Sequence, residues 1–157
     1  MKTITRRVLT ALGTKPVGPV QWNFQSFYLY GAVEPLSGES FFLEFSHLNA
    51  ECFQLFLDEF SKAYPHNLNV IQLDNGRFHY AKRLTIPDNI VLLFQPPYSP
   101  DVNPIERIWQ SMKDKLCWIN FENLDELRKE VDKIVQFLLP EKVASIAGFD
   151  FILSALK

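Results

Sequence analysis

The stretch of sequence that decides the fold is a proline-rich loop that runs into a helix, Tyr98-Ser99-Pro100-Asp101-Val102-Asn103-Pro104-Ile105-Glu106-Arg107-Ile108-Trp109. Asn103 suits the N-cap of a helix and Pro104 suits its first position, so the helix is predicted to begin at Pro104. The apolar residues then recur at the spacing of one helix face: Ile105, Ile108, Trp109, Met112 and Leu116. Glu106 falls in the first turn, which places one carboxylate at the head of this helix.

Two short apolar runs precede this loop and predict buried strands. Leu68–Leu73 ends at Asp74, where Asn75-Gly76 turns the chain, and Ile90–Phe94 ends before Pro96-Pro97. In open α/β sheets, ligands gather at the carboxyl ends of the strands. We therefore expect Asp74 and Glu106 to lie at one edge of a sheet, where two carboxylates would suit a metal-dependent phosphodiester enzyme.

The remaining patterns predict a hairpin followed by alternating strands and helices. The predicted elements are a short strand within Thr5–Leu12, a hairpin of Phe27–Val33 and Ser40–Phe45, a helix from Asn49 to about Ala63, a short helix over Phe78–Leu84, a helix from Asn123 that Pro140 interrupts, and short helices within Val143–Leu156. This order predicts a single α/β domain over residues 1–157, with a mixed sheet and flanking helices.

Composition narrows the functional classes. The chain has 157 residues, 47% of them hydrophobic, and fourteen are Phe, which favours a Phe-based core over exposed base-stacking rings. A net charge of −2 argues against a module whose main task is electrostatic DNA binding. No signal peptide and no membrane-length apolar run is evident, so a cytoplasmic location is expected.

Each candidate site residue also has a purely structural interpretation. Asp74 could close a turn by bonding its own backbone, and Glu106 could reach back to the N-cap amide as in a capping box. The candidate substrate contacts are Asn75, His79, Asn103 and Arg107; a lone histidine in a short helix or an arginine on a surface is often structural instead. Local pattern leaves these alternatives open.

The two acid-bearing motifs resemble the DDE transposase superfamily, specifically its mariner-like group and bacterial insertion-sequence relatives. The matching residues are Asp74-Asn75 with His79, Pro96 to Trp109, and the hairpin residues Tyr30–Val33 with Pro35 and Gly38. The resemblance implies a ribonuclease-H-like fold, three carboxylates that bind Mg²⁺ or Mn²⁺, and nicking and strand transfer of DNA. Asp74 matches the second acid and Glu106 the third, and a bacterial relative would act at the nucleoid.

The chain departs from this family's pattern in its first part. No Asp or Glu precedes Glu34, and neither Glu34 nor Asp58 lies where the family's first acid would fall. We therefore expect the chain to lack the first catalytic acid, the central strand that bears it and the N-terminal DNA-recognition domain, and to be inactive alone. An apolar slot would remain in the sheet, for residues 3–12, a second copy or a complementing N-terminal fragment to fill.

Two other functions stay open at this point. The chain could be a non-catalytic transposase remnant that serves as an interaction or DNA-associated module. It could also be a ribonuclease-H-like nuclease that does not transpose. Metal binding would separate the enzyme from the remnant, and inverted repeats in the surrounding DNA would separate transposition from other nuclease activity.

Overall fold

The computed structural model describes residues 4–5, 9–15, 17–18, 25–76, 84–97 and 102–155. Its elements are β1 (Tyr28–Val33), β2 (Ser40–Phe45), α1 (Ala50–Ala63), β3 (Asn69–Leu73), β4 (Ile90–Phe94), α2 (Pro104–Lys115), α3 (Leu124–Gln136), α4 (Pro140–Ala147) and α5 (Asp150–Ala155). The chain divides into a strand unit, Phe27–Ile108 with Leu139–Lys157, and a helical unit, Met1–Ser26 with Trp109–Leu138. That the whole chain is one domain stays a prediction.

The predicted hairpin is confirmed, with its first strand one residue shorter. β1 and β2 pair antiparallel from Tyr28 opposite Phe45 to Val33 opposite Ser40. Glu34 organises the turn between them, because its carboxylate accepts hydrogen bonds from the backbone N–H groups of Leu36 and Ser37. Partial burial alone would raise the pKa of Glu34, but a hydrogen bond with the Ser37 side chain and these two backbone bonds outweigh it and hold the pKa below its ordinary value.

The core of the strand unit is aromatic, as the composition predicts. Asn49 caps α1 by accepting the N–H of Cys52 at 2.8 Å, and the helix buries Phe53, Phe56, Leu57 and Phe60. Phe41 of β2 packs edge-on against two of these rings, with centroids 5.6 Å from Phe56 and 5.4 Å from Phe60. The side chains of α1 and the hairpin therefore form one core.

The two later strands run parallel to each other. β3 and β4 pair from Asn69 opposite Ile90 to Leu73 opposite Phe94. Asn89 fixes the start of this pair: its carbonyl accepts the N–H of Asn69 at 2.8 Å, and its side-chain amide donates to the carbonyl of Tyr64 at 3.0 Å. The end of α1 is thereby joined to the amino ends of both strands.

These strands form two separate sheets. Within the described part of the chain, β1 pairs only with β2 and β3 only with β4. A cavity of about 620 Å³ lies between the sheets and is lined by residues of both β1 and β3. The predicted α/β class with antiparallel and parallel pairs is confirmed, and the expected slot stays a prediction.

The prediction of a strand within Thr5–Leu12 is wrong for those residues of this segment that the structure describes. Ile4 makes an isolated bridge with Cys117, and the side chains of Leu9 and Leu12 are fully exposed. Glycine and proline follow closely in the sequence, and an isolated segment of this length gains too little from burial to offset the entropy of ordering it. The described residues of this segment therefore supply no strand for the slot.

The helical unit has its own small core. α3 begins at Asn123, which accepts the N–H of Glu126 at 2.9 Å, and it buries Val131 and Ile134. Met112 and Leu138 are also buried in this unit. Trp118 has a φ of 63°, and its ring lies so close to Gly18 that a Cβ there would stand 2.9 Å from it. The helix predicted from Asn123 is confirmed.

The C-terminal helices belong to the strand unit. Pro140 begins α4 at its first position, and Val143 and Ala147 are completely buried. Gly38, in the hairpin turn with a φ of 77°, lies against the Pro140 carbonyl, with which a Cβ at this position would collide. The short helix predicted over Phe78–Leu84 lies outside the described residues, except for Leu84. Among the helices that are described, none is long and apolar enough to cross a membrane.

Candidate active site

Asp74 lies where a parallel pair of strands ends. Because β3 and β4 are parallel, their carboxyl ends share one edge, and Asp74 directly follows Leu73 at this edge. The residue is exposed, and its Oδ1 accepts the N–H of Gly76 at 2.9 Å. The predicted turn-forming role is thus observed. A carboxylate has about four lone-pair sites, so a turn-forming hydrogen bond and metal binding are chemically compatible.

Glu106 lies in the first turn of α2, as predicted. Its backbone N–H donates to the carbonyl of Asn103 at 3.1 Å, and Asn103 Oδ1 accepts the N–H of Ile105 at 3.4 Å. Among the described contacts, the Glu106 carboxylate makes no hydrogen bond to the Asn103 N–H, so the capping-box alternative is not formed. The Glu106 side chain is exposed in the first turn of α2.

Two glutamines join the acid-bearing elements. Gln72 lies two residues before Asp74, and its Nε2 donates to the carbonyl of Val102 at 2.9 Å, just before α2. It also approaches Oε1 of Gln95 at 3.4 Å. The end of β3 and the approach to the Glu106 helix are therefore held together by a side chain within one unit of the chain.

Gln95 completes this arrangement from the end of β4. It is buried, its N–H donates to the carbonyl of Leu73 at 3.0 Å, and its own carbonyl accepts the Asn75 side-chain amide at 2.9 Å. We call Gln72 and Gln95 the glutamine clasp. Sequence reasoning missed both residues, although the signal was present: each is a polar residue within or directly after an apolar strand, where a buried side chain needs a hydrogen-bond partner.

The candidate substrate contacts fall into three groups. Asn75 and Asn103 take part in the backbone bonds above, and their contact with substrate stays a prediction. The guanidinium of Arg107 lies 3.8 Å from the ring centroid of Phe149, a cation–π contact that joins α2 to the segment before α5. His79 lies outside the described residues, as do Lys82 and Arg83 and the segment Tyr98 to Asp101.

The chemistry of the two carboxylates can be compared with what a divalent metal ion prefers. Asp74 and Glu106 are exposed oxygen ligands on two elements that the glutamine clasp joins, and carboxylate oxygen is the donor that Mg²⁺ and Mn²⁺ favour. Across the described residues, no group of three or more acidic, histidine or cysteine side chains is placed to hold a metal ion.

Comparison with solved structures identifies the fold. The Mos1 transposase, in its paired-end complex with the left transposon end, superimposes with a TM-score of 0.66 over 92% of this chain at 17% sequence identity. The match covers 46% of the Mos1 chain, so this chain spans less than half of that protein. The likeness confirms the predicted ribonuclease-H-like fold.

Sequence comparison then gives the family. The profile described as DDE superfamily endonuclease matches residues 2–128, and the chain belongs to this family. An uncharacterized protein y4pE/y4sA of Sinorhizobium fredii (strain NBRC 101917 / NGR234) is 35% identical over 109 residues, which are 69% of this chain and 76% of that protein. The predicted membership of the DDE transposase superfamily is confirmed.

Proposed function

We propose that this chain is a catalytic-domain portion of a transposase whose chemistry is metal-dependent cleavage and strand transfer of DNA. The observation that carries this proposal is the pair Asp74 and Glu106, which stand on elements joined by the glutamine clasp in a chain of the DDE family. Asp74 and Glu106 would hold Mg²⁺ or Mn²⁺. When bound, such an ion supplies charge stabilisation and an activated oxygen nucleophile.

The partner is DNA, both transposon ends and target. Family membership supports this assignment, and the Mos1 relative is a complex with a transposon end. Arg107 would approach phosphate with its N–H groups while its face stays on Phe149. We place the protein in the bacterial cytoplasm, acting at the nucleoid.

The chain alone is proposed to be inactive. Two carboxylates bind an ion weakly, whereas the family chemistry needs a third to hold ions in a reactive arrangement. No acidic residue precedes Glu34, and the described residues hold no group of three metal-binding side chains. A complementing N-terminal fragment that bears the family's first acid would supply the missing acid, whereas a second copy of this chain could supply only a strand. The same observation favours the second candidate function, a non-catalytic remnant that serves as an interaction or DNA-associated module.

Titration calorimetry with Mn²⁺ tests the proposed metal site. We expect the wild type to bind one ion weakly, and Asp74→Asn and Glu106→Gln to lose affinity by roughly 10–100-fold. Asn at position 74 can still accept the N–H of Gly76, so this variant removes the charge while it keeps the turn. We expect the variants Asp74→Ala and Glu106→Ala to lose at least as much affinity for Mn²⁺.

The matched control is Asp88→Asn, which removes an exposed acid at the opposite, amino end of β4. Its Mn²⁺ affinity should equal that of the wild type. Binding that is absent, or indifferent to Asp74 and Glu106, would favour the non-catalytic remnant. A plasmid-nicking assay tests inactivity: nicking by the chain alone that disappears in Asp74→Asn would show that two carboxylates suffice.

A further inference from the structure

Two phenylalanine rings lie beside the helix that carries Glu106. Phe149 directly precedes α5 and Phe151 lies in its first turn, and their ring centroids are 4.6 Å apart with the planes tilted by 56°. The guanidinium of Arg107, the residue after Glu106, lies 3.8 Å from the Phe149 ring centroid. Phe149 is therefore in contact with both a cation and a second ring. We call Arg107, Phe149 and Phe151 the aromatic platform.

The backbone around the two rings is held by the start of α5. The carbonyl of Phe149 accepts the N–H of Ile152 at 2.9 Å and the N–H of Leu153 at 3.0 Å. Ile152 is buried, which attaches this turn to the strand unit. Arg107 belongs to the same unit, so all three members of the aromatic platform are positioned by one body of the chain.

The outer ring of the platform is open to solvent. Phe151 is 50% exposed, whereas the core rings Phe53, Phe56 and Phe60 are buried. A ring that only filled the core would gain free energy from complete burial, because each unit of apolar surface removed from water is stabilising. Half of the Phe151 ring is instead available for contact with another planar group.

The charges around the platform define what would bind. Arg107 is exposed and attracts an anion, while Asp150, also exposed, lies between the two phenylalanines in the chain and repels one. An anionic group is therefore favoured on the Arg107 side, and an uncharged planar group on the Phe151 side. Since both distances meet at Phe149, the guanidinium carbon lies no more than about 8.4 Å from the Phe151 centroid. One nucleotide, with its phosphate and its base joined by a sugar, can bridge this separation.

We propose that the aromatic platform binds one unpaired nucleotide of a DNA strand, with its phosphate on Arg107 and its base on the exposed ring of Phe151. This inference rests on the proposed function, because it takes DNA as the substrate, and it adds which state of DNA the site selects. Both faces of a base within a duplex are covered by neighbouring bases, so only an unpaired or frayed nucleotide offers a face to an aromatic side chain.

The test uses the full 157-residue chain without metal ions and two labelled DNA strands at low salt. One strand has eight thymidine nucleotides, and the other has the same eight-unit sugar–phosphate backbone without bases, so that both carry the same charge. Fluorescence anisotropy measures the two affinities. The strand with bases should bind at least about fivefold more tightly, because stacking of one base on an aromatic ring contributes about this factor or more.

Variants of Phe151 test whether this ring causes the preference for bases. Phe151→Ala should abolish the preference and leave the affinity for the abasic strand unchanged. Phe151→Leu keeps apolar bulk without a ring and should behave like Phe151→Ala, whereas Phe151→Trp should keep the preference. Phe137→Ala is the matched control, since it removes a ring that is 67% exposed in the helical unit, and it should keep the preference. Circular dichroism should show wild-type helical content in each variant.

Arg107→Gln separates the charge from the ring. Loss of one phosphate-binding cation should weaken the binding of both strands by a similar factor. It should also reduce the slope of log affinity against log salt by about 0.7, the value for one contact to a single strand. The preference for the strand with bases should remain.

Three outcomes would overturn the proposal. Equal binding of the two strands by the wild type, or an unchanged preference in Phe151→Ala and Phe151→Leu, would exclude base stacking on Phe151 and leave DNA as the partner. Weaker binding of the abasic strand by Phe151→Ala would mean that this ring supports backbone binding instead. A wild type that binds neither strand would count against DNA as the partner, and so against the proposed function as well. Because no metal ion is present, these results do not depend on Asp74 and Glu106 as ligands.

Discussion

Single residues fix the ends and turns of this chain, and most of these roles can be predicted from the sequence. Asn49 and Asn123 were predicted to begin helices and both do so through their side-chain oxygens. Such bonds connect residues three positions apart, so the local sequence contains the whole interaction. Gly38 differs, because the group that restricts it, the carbonyl of Pro140, is remote in the sequence.

Replacement of Gly38 by Ala should lower the free energy of unfolding by more than the left-handed conformation alone explains. The positive φ costs an Ala roughly 1–2 kcal/mol, and the new methyl group must also displace the start of α4 from the hairpin turn. Urea unfolding followed by circular dichroism measures the change. Gly13→Ala is the matched control, since Gly13 has a φ of 82° but a Cβ there would meet no described atom within 4 Å. Equal losses in the two variants would contradict the proposed steric contact.

At the scale of elements, helices were predicted well and the connections between strands less well. The apolar runs predict β3 and β4, and the Asn-Pro sequence predicts the start of α2. The observed boundaries agree with these predictions to within one residue. The glutamine clasp was not predicted, because Gln72 and Val102 are 30 residues apart and their contact depends on the folded chain. The sequence thus predicts that Asp74 follows β3 and that Glu106 lies in the first turn of α2, but it does not predict the side chain that joins these elements. That the two acids form a site stays a prediction.

Substitution of Gln72 by Leu should loosen the approach to α2. The change removes the donor to the Val102 carbonyl, a hydrogen bond whose net contribution is about 0.5–1.5 kcal/mol, while it keeps side-chain bulk. Hydrogen exchange at the amides of Ile105 and Glu106 should become faster, and Mn²⁺ affinity should fall. Gln110→Leu removes an exposed glutamine that bonds Asp114 within α2 and should change neither quantity. Unchanged exchange in Gln72→Leu would mean that other contacts hold the helix head.

At the scale of the whole molecule, the stability of the strand unit depends on its aromatic core. The Phe-rich composition predicts the core, and the rings of α1 pack on the hairpin accordingly. A slot beside the hairpin is expected only from the resemblance to the DDE family, whose first acid and central strand have no counterpart before Glu34. The volume and lining of the cavity between the two sheets could not be predicted, because they depend on how far apart α1, α2 and α5 hold the strand edges.

The core makes a strong prediction about stability. Phe56→Ala should lower the free energy of unfolding by about 3–5 kcal/mol, since the ring is buried against Tyr30, Phe41 and Phe60. Phe137→Ala removes the same atoms from a side chain that is 67% exposed and should change it by less than about 0.5 kcal/mol. Thermal unfolding of both variants measures the difference. A similar melting temperature for the two would show that the core is not formed as described.

The glutamine clasp also bears on how the site responds to its surroundings. A carboxamide neither gains nor loses a proton between acidic and alkaline conditions, and it is not a redox group. A histidine or a cysteine in the same place would make the spacing of the two elements depend on acidity or on oxidants. The glutamine clasp therefore contains no group whose charge or oxidation state changes with acidity or oxidants, so its hydrogen bond between β3 and the approach to α2 does not depend on either.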